Sequence, residues 1–151
     1  MKLKYDQEWH LFEPLGQAMV SVASLELPPA DVVIPVPMYE LKEIARGMNH
    51  AYGLARVIAK ALGLTLLRDG LVRTKNTPPL SDLTKQERQQ TVTEGFRVPG
   101  EMVKAIKGKR IWLVDDVLTT GATAGECSKA LLRAGALRVC VITAARSLKH
   151  T

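Results

Sequence analysis

The chain has 151 residues, 46% of them hydrophobic and 24% charged, which suits one soluble domain, 1–151, with a core that needs no disulfide or metal staple. No apolar run reaches the ~20 residues of a membrane span, and the opening MKLKYDQEWHLFEP carries acids and no apolar signal core, so a membrane protein is excluded and a cytoplasmic one expected. The net charge of +6 favours anionic partners, phosphates or nucleic acid, without choosing between them. Cys127 and Cys140 form no C-x-x-C pair and read as two small buried hydrophobes, not as zinc ligands.

Residues 9–25 carry Phe12, Leu15, Met19 and Val22 at helical spacing and predict a helix with Pro14 in or near its first turn. Leu27-Pro28-Pro29 ends it. DVVIPVP, residues 31–37, is a short β-branched run closed by prolines, the pattern of a strand covered on both faces of a parallel sheet. Residues 38–48 read as a loop or a frayed turn. Asn49 has the chemistry of an N-cap. Leu54, Ile58 and Ala61-Leu62 give the next helix its core stripe, and Gly63 gives its end. LTLL, residues 64–67, is a second short strand, with Gly70 to Arg73 extending the edge.

The texture then changes. TKNTPPLSDLTKQERQQTVTEG, residues 74–95, is polar and has no core face. A segment of this length inside a domain reads as a functional or disordered loop, with room for a short helix in LTKQERQQ. Phe96 and Val98 return to the core, and Lys104, Lys107, Lys109 and Arg110 make a solvated basic turn. Residues 111–114 are the most apolar strand. Residues 124–134 form a helix with Cys127, Ala130, Leu131 and Ala134 inward, and residues 139–145 a last strand. Trp9 and Trp112 read as packing residues. This alternation predicts an α/β fold with a mostly parallel central sheet flanked by helices, in which ligands bind beyond the carboxyl ends of the strands.

One such end is IWLVDDVLTTGAT, residues 111–123. The turn after Asp116 leads into a helix whose first N–H groups are unpaired and carry partial positive charge. Thr119, Thr120 and Thr123 add hydroxyl donors, while Gly121 lets the backbone curl close to a guest. Together they suit a monoester phosphate. Asp115 and Asp116 would repel that phosphate and so must meet another part of the same ligand. A vicinal diol fits, since carboxylates accept hydrogen bonds from hydroxyls at about 1.5–3 kcal/mol each. Phosphate plus diol describes a ribose 5-phosphate. Two other readings compete: a capping loop with surface acids, and a Mg²⁺ pocket of strand-end aspartates. The second needs a third strand-end acid, which no other strand supplies.

LVDDVLTTGAT closely resembles the phosphoribosyl diphosphate signature of type I phosphoribosyltransferases. VVIPVP, RGMNHAYGLA, the T-P-P-x-x-x-L-x-x-x-E-R loop followed by Phe96, and the terminal VITAAR resemble the ComF/GntX-type, amidophosphoribosyltransferase-like branch, over about residues 31–146. The resemblance implies a type I phosphoribosyltransferase fold with a flexible loop over the site. Asp115 and Asp116 would be the catalytic acids on the ribose hydroxyls, and Thr119, Thr120, Gly121, Ala122 and Thr123 the 5-phosphate turn. Arg46, Gly47 and Asn49 would lie near the pyrophosphate. Residues 74–95 would form a mobile flap whose Lys75, Lys85 and Arg88 meet anions. Mg²⁺ would be held by phosphoribosyl diphosphate itself, reaching Asp115 or Asp116 through water. The sequence departs from the branch in showing no N-terminal zinc-ribbon cysteines, and in having His50, Leu80 and Thr91 where Gln, Gln and Asn are usual. His50 reads as a surface or capping residue.

The resemblance implies an enzyme moving phosphoribosyl to a nitrogenous acceptor with release of pyrophosphate. The alternative it carries is a competence protein in DNA uptake that binds phosphoribosyl diphosphate or single-stranded DNA without robust catalysis. Few aromatics, 5%, weigh against a stacking surface for single strands. Competence machinery and a second copy of the chain are the other partners left open.

Overall fold

The computed structural model describes residues 2–74 and 95–148, the side chains of residues 2–9, 40, 42 and 46 excepted. Four parallel strands make the central sheet: β1 (Val32–Pro35), β2 (Thr65–Leu66), β5 (Arg110–Leu118) and β6 (Arg138–Arg146), in the order β2-β1-β5-β6. The β-branched runs stay inside because both faces are covered. On one face α1 (Lys2–Glu26) and α3 (His50–Leu62) pack over Val33, Trp112, Val114 and Ile142. On the other, Val32, Ile34, Ile111 and Leu113 meet Cys127, Ala130 and Leu131 of α5 (Ala122–Arg133), together with Ile106, Leu71 and Phe96. Ile106 closes the one-turn helix α4 (Val103–Ile106). The alternation of strand side chains between faces thus divides one apolar sequence into two cores.

Four elements differ from the sequence reading. The first helix begins at Lys2, not at residue 9, and Pro14 lies in its interior. The opening residues have no apolar stripe to mark them as helical. Residues 38–48 are no loop: Glu40–Arg46 forms α2, closed by Gly47 at φ 84°, whose N–H donates to the Glu43 carbonyl at 2.9 Å. Its Leu41 and Ile44 are exposed, so periodicity had no buried stripe to reveal. Gly70 to Arg73 does not extend the sheet edge. Instead β3 (Val72–Arg73) pairs antiparallel with β4 (Phe96–Arg97) as a separate two-stranded sheet. Finally, β5 continues to Leu118, past both aspartates, because β6 pairs with it as far as Leu118↔Arg146. The N-cap at Asn49, the end of α3 at Gly63, both strands bearing prolines or β-branched residues, and the inward Cys127 are as expected.

At the opposite end of the sheet Arg110 fixes the register of β5 against β1. Its Nε and Nη2 donate to the Asp31 carboxylate at 3.0 and 2.6 Å, and its backbone N–H donates to the same group at 2.9 Å. Trp112 is buried, its Nε1 donating to the Pro28 carbonyl at 3.0 Å.

Helices α1 and α3 approach closely through Gly16 and Gly53. A Cβ on Gly53 would lie 2.8 Å from the Phe12 ring. Gly53→Ala tests this contact, since propensity and packing oppose each other. The methyl gains up to about 1 kcal/mol of helix propensity, but the rigid ring must move, at about 1–3 kcal/mol. We expect net destabilisation in urea unfolding, relieved in the Gly53→Ala, Phe12→Leu double variant. A more stable single variant would show that the helices separate freely.

Candidate phosphate and diol site

Pairing with β1 stops at Pro35↔Val114, while β6 accompanies β5 to its end. The last four residues of β5, Asp115 to Leu118, therefore project beyond one neighbour, and the acids occupy that notch. Strand alternation sends them to opposite faces. Asp115 follows Leu113 towards α5, where its charge bears on the buried thiol of Cys127. Asp116 follows Val114 towards α3, where its Oδ2 lies 3.6 Å from His50 Nδ1. One oxygen of each is held by the next backbone N–H: Asp116 N donates to Asp115 Oδ1 and Val117 N to Asp116 Oδ1, both at 2.9 Å.

The turn that follows starts α5 earlier than residue 124. Gly121 is its N-cap at φ 81°, a conformation that favours glycine. Ala122 and Thr123 are therefore the first helical residues, and Thr119 and Thr120 precede the cap, all four exposed. Thr120 Oγ1 accepts from Ala122 N at 3.3 Å, and the Gly121 carbonyl accepts from Gly125 N at 2.8 Å. The N–H groups of Thr123 and Ala124 have no partner within the helix by its geometry. The β5–α5 turn thus joins hydrogen-bond donors to a carboxylate pair.

The loop after β1 stands beside this turn. Val36 N donates to the Val114 carbonyl at 2.8 Å, one residue before Asp115. Asn49 is buried, its Nδ2 donating to the Val36 carbonyl at 3.1 Å and its Oδ1 accepting from Ala51 N at 3.0 Å. It is the N-cap of α3 and the strut that holds the helix against the end of β1. Gly47 is exposed at the α2–α3 junction, and Arg46 ends α2 with its side chain outside the description. Lys75, Lys85 and Arg88, with nearly all of the expected flap, lie outside the described residues. Its roots are described: β3 and β4 meet, and Thr74 N donates to the Gly95 carbonyl at 2.8 Å.

Three side chains at this end were not marked by sequence reasoning as site residues. A cavity of about 500 Å³ beside the end of β1 is lined by Met38, Asn49, Tyr52, Arg68 and Arg73 among others. Arg68 stacks over Tyr52 at 4.4 Å and bonds Glu43 of α2 at 3.0 Å. Arg73 lies 5.5 Å from the centre of the Phe96 ring. His50, read as a surface or capping residue, faces Asp116. No local pattern marks these three, because each contact joins segments distant in sequence.

The phosphoribosyl transferase domain family matches residues 46–150. The chain belongs to that family. Competence protein F of Haemophilus influenzae is 33% identical over 123 residues, 82% of this chain and 52% of that protein. DNA utilization protein YhgH of Escherichia coli K12 is 30% identical over 124 residues, again 82% and 52%. The chain spans about half the length of these curated relatives. Among solved structures, the glutamine phosphoribosylpyrophosphate amidotransferase of B. subtilis gives a TM-score of 0.62 at 21% identity, over 92% of this chain and 28% of that one. The purine phosphoribosyltransferase of Pyrococcus horikoshii gives 0.56 at 17% identity, over 91% and 74%. At such identities the likeness is one of fold, and that fold is the type I phosphoribosyltransferase architecture. The family and the ComF-like resemblance read from the signature are borne out.

At the end of β5 the two acids differ in their surroundings. Burial, and then the neighbouring Asp116 carboxyl, push the Asp115 carboxyl up to about 7, against the lowering effect of the Asp116 backbone N–H. The folded chain therefore keeps a proton that the unfolded chain releases near pH 4. Stability is lost as pH rises through the window from about 4 to about 7. Asp31 acts in the opposite sense. Hydrogen bonds from Arg110 hold its carboxyl well below the usual carboxylate range. Its contribution is present above about pH 4 and lost below it. We expect ligand-free wild type to lose more stability than Asp115→Asn between about pH 5 and about pH 8 in urea unfolding. Parallel profiles for the two proteins would show that Asp115 is already ionised at pH 5.

Proposed function

We propose that the chain is a phosphoribosyltransferase that binds phosphoribosyl diphosphate with Mg²⁺ and transfers the phosphoribosyl group to a nitrogenous acceptor. The supporting observation is the β5–α5 turn, which offers phosphate donors and diol acceptors on one short segment. Thr119, Thr120, Gly121, Ala122 and Thr123 would hold the 5-phosphate at the helix N-terminus. Asp115 and Asp116 would accept from the two ribose hydroxyls, approaching from the two faces of the notch. Their divergence suits a diol, whose oxygens are themselves separated, better than it suits one small cation.

In the reaction the bond from ribose C1 to pyrophosphate oxygen breaks and a bond from C1 to the acceptor nitrogen forms. The nitrogen loses a proton to solvent or to the departing pyrophosphate. The transition state has sugar-cation character, as in glycoside hydrolysis. The chain's own work is positioning and charge stabilisation. Asp115 and Asp116 anchor the ring and place negative charge near the developing cation. Gly47 and Asn49 shape the loop after β1 near the pyrophosphate, Asn49 by holding that loop in place. Arg68 and Arg73 are its cation candidates among the described side chains, and Arg46, Lys75, Lys85 and Arg88 those beyond them. Asp115 or Asp116, each a hard oxygen donor, would meet through water a Mg²⁺ ion that keeps its waters and phosphates. When bound, it would neutralise the leaving pyrophosphate.

A second reading comes from the relatives, whose names are competence protein F and DNA utilization protein YhgH. Under it the chain serves DNA uptake, alone or with competence machinery, and binds phosphoribosyl diphosphate or single-stranded DNA without turnover. The net charge of +6 is compatible with it.

Thermal unfolding separates the readings. Phosphoribosyl diphosphate with Mg²⁺ at 100 times its dissociation constant adds about 2.7 kcal/mol, a rise of several degrees for a chain of this size. We expect that rise in wild type and none in Asp115→Asn/Asp116→Asn, whose circular dichroism stays that of wild type. Release of pyrophosphate with a panel of amines and nitrogen heterocycles then supports transfer. An equal rise in the double variant sinks the diol assignment. Absence of any rise, with DNA binding that weakens steeply in salt, would favour the second reading.

A further inference from the structure

We infer that His50 is a positioning residue for Asp116, and through it for the diol end of the sugar phosphate. The inference rests on the function proposed above. His50 is the first residue of α3, and its backbone is fixed by its neighbours. Asn49 bonds both Ala51 N and the Val36 carbonyl, which ties the start of the helix to the end of β1. The imidazole leans on Phe12 of α1, with ring centroids 5.7 Å apart and planes at 52°. Phe12 is in turn set by the close approach of α1 to Gly53, one turn further along α3. The ring is thereby aimed across the sheet at β5.

Its Nδ1 lies 3.6 Å from Asp116 Oδ2, a polar contact longer than a formed hydrogen bond. The other carboxylate oxygen already accepts from Val117 N at 2.9 Å. The carboxylate is therefore held on one side by the backbone and steered on the other by the imidazole. The two side chains are 50% and 38% exposed, so the pair opens to the site and is not sealed in the core. Asp115 has no such partner from α3, because it points to the other face. His50 thus acts on one of the two diol acceptors and leaves the phosphate turn untouched.

The test uses ribose 5-phosphate, which carries diol and phosphate without pyrophosphate, and inorganic phosphate as its control, both by calorimetric titration of the full chain. An exposed polar pair sets the scale of the effect: His50→Ala weakens ribose 5-phosphate about three- to fivefold. His50→Gln keeps an N–H donor of similar reach and recovers affinity to within about twofold of wild type. Inorganic phosphate binds all three proteins alike. In an Asp116→Asn background His50→Ala has no further effect, the signature of a pair that acts as a unit. Wild-type affinity in His50→Ala would overturn the inference. So would equal loss of phosphate affinity, failure of His50→Gln to recover, or an undiminished loss in the Asp116→Asn background. Should Asp116→Asn bind too weakly to titrate, recovery by glutamine and the phosphate control decide. A wild type that binds no ribose 5-phosphate overturns the proposed function itself, whereas a wild type that binds while His50→Ala is unaltered overturns only the role of His50.

Discussion

The geometry of the site depends on a mismatch in strand length. β1 leaves the sheet at Pro35, paired with Val114, while β6 follows β5 to Leu118. Were β1 as long as β6, Asp115 and Asp116 would each have a strand on both sides, and two carboxylates would be held in a closed sheet with little solvent. The missing neighbour leaves them reachable, and the remaining one keeps their backbone extended. The proline-closed sequence VVIPVP produces the mismatch, since a proline supplies no N–H for a ladder. The clamp of Arg110 on Asp31 at the other end keeps the two strands from slipping, so the notch falls beside the acids. A slip of one residue would exchange their faces.

The same backbone explains why two identical adjacent side chains differ. Alternation gives Asp115 the environment of α5, with a buried thiol and a carboxyl pushed up to about 7. It gives Asp116 the environment of α3, with an imidazole and open solvent. The two carboxylates of one notch thus face different elements and different degrees of burial.

Much of this was legible in the sequence, for reasons that are local. Val32 to Pro35 and Ile111 to Val114 announce covered strands, Asn49 and Gly63 the ends of α3, and the turn from Thr119 to Thr123 a helix start with donors to spare. The family signature is one continuous stretch and so survives reading in one dimension. What was not legible is what solvent or distance hides. Among its described side chains α2 shows no buried stripe, since Leu41 and Ile44 face water. The opening MKLKYDQE shows no apolar periodicity in the sequence either. The continuation of β5 past the aspartates is set by β6, and the contact of His50 is with a carboxylate on another element. Those facts belong to pairs of segments, and a single segment carries no trace of them.

β6 borders the sheet, with β5 as its one strand partner among the described residues. A nine-residue edge bearing an outward Val141 is the kind of surface on which chains add to one another. Its ends carry Arg138 and Arg146. Two copies meeting antiparallel about Ile142 would set each Arg138 against the other's Arg146, and like charges face to face oppose such a ladder. On charge alone, then, the strand that closes the sheet disfavours that one pairing of its open flank with a second copy.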